Sequence, residues 1–202
     1  MANVQYEQTF PNSCGAASLL CAAIELGTAQ LPTVKAYPLW AFPIPLAPNL
    51  TCEKAIYSVT SGNDGRTPTD ATGYSLPSYI HDCVVAMGRT AVAHVPNTLV
   101  GALLKTVYSA DVARATGNGM VINSSSAPAR PGANQRLLRV MRVGEDAWYK
   151  PNVGLHYIMV RPDGSVMDPA LGLDANNLEA LKLFQKSQAA SYVDTGIGVL
   201  VS

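Results

Sequence analysis

Leu155-His156-Tyr157-Ile158-Met159-Val160-Arg161-Pro162-Asp163-Gly164-Ser165-Val166-Met167-Asp168 reads as two strands folded back on each other. Side chains alternate along a strand, so His156, Ile158 and Val160 share one face. Pro162-Asp163-Gly164 has the form of a three-residue hairpin loop, a type I turn closed by glycine in the left-handed region, and sets Arg161 opposite Ser165. Ile158 then faces Asp168, and His156 becomes the diagonal neighbour of Asp168, about 7–8 Å away between backbones. An imidazole and a carboxylate can meet across that distance. A two-residue Asp163-Gly164 loop would put them on opposite faces of the sheet.

Outward from this hairpin the pattern is helices first and strands last. Ala16, Leu20, Ala23 and Ile24 recur at helical spacing after Asn12-Ser13-Cys14-Gly15, with Gly27 beyond them. Pro77 opens a second helix through Ile80, Val84 and Met87, closed by Gly88. Thr98 to Tyr108, with Leu99, Leu103 and Val107, and Asn176 to Ala190, with Leu178, Leu181 and Phe184, repeat the same spacing. Strands are expected at Thr90 to Val95, Met120 to Ile122, Leu137 to Val143, Leu155 to Arg161, Ser165 to Asp168 and Gly198 to Val201. This order predicts an α+β fold in which an N-terminal helix packs on a C-terminal antiparallel sheet.

Two segments escape that scheme. Residues 28–51 hold Pro32, Pro38, Pro43, Pro45 and Pro48 and read as an extended loop, packed on the body because Trp40, Phe42 and Ile44 would be costly to leave in water. Ser58 to Gly73 is polar and glycine-containing and reads as a mobile loop. Both, with Trp148-Tyr149, are candidate walls of a cleft.

Composition bounds the function. A chain of 202 residues with 48% hydrophobic content supports one domain, taken as 1–202. Fourteen basic side chains balance 14 acidic ones, so no excess positive charge is available for a nucleic-acid backbone. No apolar run approaches the roughly 20 residues of a membrane span, and Met1-Ala-Asn-Val-Gln-Tyr-Glu has no signal-peptide character. Synthesis in the cytoplasm is expected, with any export following a route that needs no N-terminal signal. Cys14, Cys21, Cys52 and Cys83 form no C-x-x-C pair and have no histidine at zinc-finger spacing, so neither a metal nor another cofactor is expected.

The cysteines differ in setting. A nucleophilic thiolate is favoured at a helix N-terminus facing an imidazole, and Cys14 occupies such a position. Cys21, Cys52 and Cys83 read as packed side chains. Gln8 stands six residues before Cys14, with Phe10-Pro11 fixing the approach, and its amide can join the Cys14 backbone N–H in binding an oxyanion. Of the three histidines, His81 and His94 read as ordinary surface or core residues. His156 is the candidate base, with Asp168 as its orienter.

Gln8-x5-Cys14-Gly15-Ala16-Ala17-Ser18, followed by His156-Tyr157-Ile158-Met159-Val160 and Met167-Asp168-Pro169-x2-Gly172, resembles the C39-like branch of the papain-like cysteine peptidases. The resemblance implies a papain-like fold, with Cys14, His156 and Asp168 as triad, Gln8 in the oxyanion hole, and a protein or peptide substrate. A leader-processing role fused to a transporter does not carry over. The same chemistry would serve a glutamine deamidase or a peptidoglycan amidase acting as toxin or effector, and a papain-like scaffold could also serve as a non-catalytic binding module.

Overall fold

The computed structural model describes residues 3–145 and 153–202. Among the described residues six α-helices precede or flank a seven-stranded sheet: α1 (Cys14–Glu25), α2 (Leu50–Thr60), α3 (Pro77–Ala86), α4 (Leu99–Val107), α5 (Ser109–Gly117) and α6 (Leu178–Ser187). The strands in chain order are β1 (Gln30–Leu31), β2 (Ile44–Pro45), β3 (Ala91–His94), β4 (Val121–Asn123), β5 (Arg136–Glu145), β6 (Val153–Val160), β7 (Val166–Asp168), β8 (Leu173–Ala175) and β9 (Ala190–Val201). β1 and β2 form a small pair of their own, and the large sheet runs β4-β3-β9-β5-β6-β7-β8. The architecture is α+β and papain-like, with the cysteine-bearing helix laid on the sheet that carries His156 and Asp168. The sheet departs from the expected antiparallel pattern at one edge, where β3 and β4 run parallel.

Each face of the sheet has its own core. Tyr157, Met159, Leu138 and Val140 join α1, α2 and α3 in the larger cluster, whereas Ile158, Val160, Leu137, Met141 and Leu181 of α6 form the other. The two-residue alternation of β6 therefore sends Tyr157 toward α1 and His156 toward α6. Contact between α1 and β6 is close, since the Ser18 hydroxyl donates to the Tyr157 carbonyl at 3.3 Å. A Cβ added to Gly15 would lie 2.5 Å from Ser75 Cβ and 3.1 Å from the Tyr157 ring, so only glycine lets the first turn of α1 come this near.

Several elements differ from the sequence reading. α2 lies across the end of the supposed Pro-rich loop and the start of the supposed mobile loop, with Ser58, Val59 and Thr60 fully buried. The remainder of that loop is tied down, because the one Tyr57 hydroxyl proton is shared between the carbonyls of Thr72 and Gly73, at 2.8 and 2.9 Å. Trp40 is buried as expected, but Phe42 is 79% exposed. Leu99, Leu103 and Val107 share one face of α4 and turn it to solvent. α5 went unread because Ala115 is its one buried residue among those described. β9 is longer than its apolar end suggests, running alongside β5 through an irregularity at residues 195–197 that lets Thr195 donate to the Val140 carbonyl.

A buried ion cluster joins the far ends of α1 and β6. Glu25, the last residue of α1, accepts from Arg161 Nε at 2.8 Å, Arg136 Nε at 2.6 Å and the Val4 N–H at 2.9 Å, while Arg161 also reaches Asp174 of β8. Removing Glu25 takes the carboxylate partner from Arg136 and leaves the buried Arg161 with Asp174 alone. Glu25→Ala is therefore expected to destabilise the fold by about 3–5 kcal/mol, measured by urea denaturation.

Candidate active site

The site forms where β6 loses its outer partner. Arg161 N–H donates to the Ser165 carbonyl, Met159 pairs with Met167, and the hairpin takes the three-residue register with Gly164 at φ +90°. β7 stops at Asp168, and Pro169 follows. By the strand's alternation the Tyr157 N–H points the same way as that of Arg161, into the edge that β7 has vacated. Cys14 Sγ fills the gap and accepts from that N–H at 3.4 Å. The open position across from it is closed by the N-terminal segment, whose Gln8 N–H donates to the Pro169 carbonyl at 2.8 Å.

Cys14 is the first residue of α1, with Ser13 as N-cap. Its sulfur thus faces the helix end whose N–H groups lack intrahelical acceptors. His156 and Asp168 meet on the α6 face, Nε2 to Oδ1 at 2.7 Å, and the imidazole also lies against the Cys14 thiol. With Nε2 committed to the carboxylate, Nδ1 is left for the sulfur. Cys14, His156 and Asp168 are all nearly closed to solvent.

Gln8 is beside them but its amide is turned inward. Nε2 donates to the Phe10 carbonyl at 2.9 Å and the Pro11 carbonyl at 3.2 Å, and among the described residues its buried Oε1 has no partner. To face an oxyanion the side chain must release one of these carbonyls.

Three contributors were not read from the sequence. Gln185 of α6 is buried and donates Nε2 to Asp168 Oδ2 at 2.9 Å. It stands where the helical spacing from Leu178 and Leu181 calls for an apolar side chain, while Phe184, expected there, is 42% exposed. Tyr192 of β9 sets its ring 5.6 Å from the His156 ring, with its hydroxyl directed at the same carboxylate. The Ala170 N–H completes the set, donating to Asp168 Oδ1 at 2.9 Å. The other two histidines lie elsewhere: His81 is buried beside Asp82, and His94 ends β3 near Ser125.

A cavity of about 210 Å³ adjoins the site on the α1 face, lined by Tyr74, Ser75, Tyr108, Val140, Leu155 and Tyr157 among others. Of the expected walls, Trp40 is core cover, donating Nε1 to the Ala55 carbonyl at 2.8 Å, and Trp148-Tyr149 fall outside the described residues.

Comparison with known proteins gives the family. Residues 6–202 match the family model of invasion plasmid antigen J, cysteine protease. The chain is 32% identical over 204 aligned positions to the cysteine protease IpaJ of Shigella flexneri, covering 97% of this chain and 77% of that protein. The chain belongs to the IpaJ cysteine protease family. It is a cysteine peptidase, as the papain-like resemblance implied. No solved structure matches it.

In this IpaJ family member the thiols are separated by their surroundings. Burial pushes the Cys21 thiol up to about 12, with the Glu25 charge adding to it, and burial likewise raises Cys52 and Cys83. Those three are inert at neutral pH. Burial alone would lower His156, but its bonds to Asp168 and Cys14 outweigh it and carry the imidazole up to about 10. For Asp168 burial acts upward, yet the His156 bond and charge and the Ala170 N–H hold the carboxyl below its ordinary value.

Both shifts set pH windows. The folded His156 value exceeds the unfolded one, so its stabilising contribution is complete below about 6.5 and is lost as pH rises through about 10. Asp168 is depressed, so its contribution is complete above 3.8 and is lost as pH falls through the folded value. Ring-nitrogen NMR is expected to find His156 titrating near 10. In Asp168→Asn that titration moves down by at least about one unit, because the carboxylate charge is gone.

Proposed function

We propose that Cys14 is the nucleophile, His156 the acid–base, Asp168 its orienter, and Gln8 with the Cys14 backbone N–H the oxyanion donors of a peptidase acting on protein substrates. The observation that carries this reading is the single imidazole held between the Cys14 thiol and a buried carboxylate. A protonated imidazole, the Tyr157 N–H and the helix N-terminus all present positive charge to one sulfur, the environment a nucleophilic thiolate needs.

The sulfur attacks the carbonyl carbon of a peptide or isopeptide bond, and the carbonyl oxygen takes up negative charge toward the Cys14 N–H and Gln8. As the C–N bond breaks, the His156 proton passes to the leaving amine, leaving a thioester on Cys14 and a neutral imidazole. Water, deprotonated by that imidazole, attacks the thioester and releases the acid. The Asp168 carboxylate, fixed by Gln185, Tyr192 and Ala170, holds the ring in one orientation throughout. The cavity with Leu155 and Tyr157, the residues either side of His156, in its wall is available for an apolar portion of the substrate.

Deamidation, peptidoglycan cleavage and mere binding have no feature that favours them over peptide hydrolysis. Residues 1–202 act as one papain-like domain in this reading. No helix among the described residues is long and apolar enough to cross a membrane. The family's designation as an invasion plasmid antigen supports an effector that acts outside the cell that makes it.

Incubation with a proteome-derived peptide library, read by mass spectrometry of new N-termini, tests the assignment. Wild-type protein generates new termini, Cys14→Ala and His156→Ala lose at least about a thousandfold in rate, and iodoacetamide near neutral pH labels Cys14 ahead of the other three cysteines. New termini that persist in Cys14→Ala, or equal labelling of all four thiols, contradict it.

A further inference from the structure

Glu53 sits in α2 with no exposed surface, in a helix otherwise packed through Cys52, Ala55, Ile56, Tyr57 and Val59. A carboxylate in such a place is costly unless every lone pair is used. Here it is used on one segment. Oε1 accepts from the Thr9 N–H at 2.9 Å and the Ser13 hydroxyl at 2.6 Å, and Oε2 accepts from the Tyr6 hydroxyl at 2.8 Å. These donors flank Gln8 on both sides and end at the residue before Cys14. No cation is among the hydrogen-bond partners of Glu53 in the described residues, so the contacts serve this segment and no ion pair.

The segment needs such an anchor. Residues 3–13 form no helix or strand and have no ladder of their own. On the sheet side they are tied through Gln8 N–H to Pro169. On the other side Glu53 pins the turn from Phe10 to Ser13, in which the Ser13 N–H donates to the Phe10 carbonyl at 3.3 Å. That carbonyl is one of the two holding the Gln8 amide.

We infer that Glu53 is a positioning residue of the oxyanion hole: it fixes the backbone of the 6–13 segment, so that the Cys14 N–H, and the Gln8 amide once it releases the Phe10 or Pro11 carbonyl, meet the reacting carbonyl. This rests on the assignment of Gln8 and Cys14 as oxyanion donors. A donor displaced by about 1 Å loses most of its value, so an anchor on the loop acts on the rate without touching substrate.

Two reactions of Cys14 separate this role from general structure. Acylation by p-nitrophenyl acetate forms an S–C bond through a tetrahedral oxyanion and expels p-nitrophenolate. Alkylation by iodoacetamide forms an S–C bond and expels iodide with no oxyanion. The ratio of the two rate constants reports oxyanion stabilisation without a known substrate, with Cys14→Ala giving the background.

In Glu53→Ala the ratio is expected to fall about ten- to a hundredfold while alkylation stays within about twofold of wild type. Glu53→Gln restores the ratio, since its Oε1 still accepts from Thr9 and Ser13 and its Nε2 meets the Tyr6 hydroxyl. If circular dichroism shows Glu53→Ala unfolded, the double variant Tyr6→Phe/Ser13→Ala, which removes two of the three donors at little change in volume, is expected to lower the ratio in the same sense. An unchanged ratio in the folded variant, equal loss of both rates, or a Gln variant as poor as Ala overturns the inference. A p-nitrophenyl acetate reaction indifferent to Cys14→Ala instead overturns the assignment of Cys14 as nucleophile, and this inference with it.

Discussion

Everything at this site depends on how closely the first turn of α1 can lie on β6. Gly15 leaves no Cβ between the helix and Ser75 and Tyr157, and that absence carries Cys14 Sγ to the Tyr157 N–H. The N–H is available because β7 ends at Asp168, so a strand edge that would otherwise need covering becomes a place for sulfur. One interruption of the sheet serves two purposes: it opens the edge for Cys14, and it puts Asp168 at the strand end, beside His156.

The rest of the fold holds that approach in place. Glu25 with Arg136 and Arg161 ties the end of α1 to the end of β6, three helical turns from Cys14, so the two elements that carry thiol and imidazole are fastened at both extremities. On the opposite face α6 and β9 supply Gln185 and Tyr192, which leave the carboxylate no freedom to turn from the imidazole. The N-terminal segment closes the third side between Glu53 and Pro169.

The parts legible in the sequence were those governed by local rules. Pro162-Asp163-Gly164 allowed a three-residue or a two-residue hairpin loop, and with the three-residue register that is present the meeting of His156 with Asp168 follows from strand alternation. α1 was legible from its small and apolar spacing. α2 was not, because it is buried around much of its circumference and carries Glu53, Ser58 and Thr60 inward, which erases the amphipathic period. Its cap was the available signal: Asn49 Oδ1 accepts from the Cys52 N–H at 2.9 Å. Gln185 was open to detection as a polar residue on an apolar helical face. The exposure of Phe42 and of the Leu99, Leu103 and Val107 face was not, since periodicity identifies a helix without saying which side finds a partner. The inward turn of the Gln8 amide likewise depends on the Phe10-Pro11 carbonyls, which spacing to Cys14 does not reveal.

The central claim is that one imidazole serves both the Cys14 sulfur and the Asp168 carboxylate at the open edge of β6. Its most direct test is a crystal structure of the protein alkylated at Cys14 by a peptidyl chloromethyl ketone. The account predicts His156 Nδ1 directed at the modified sulfur, Nε2 still on Asp168, and the inhibitor oxygen beside the Cys14 N–H. An imidazole turned away from the adduct, with the Asp168 bond broken, would contradict it.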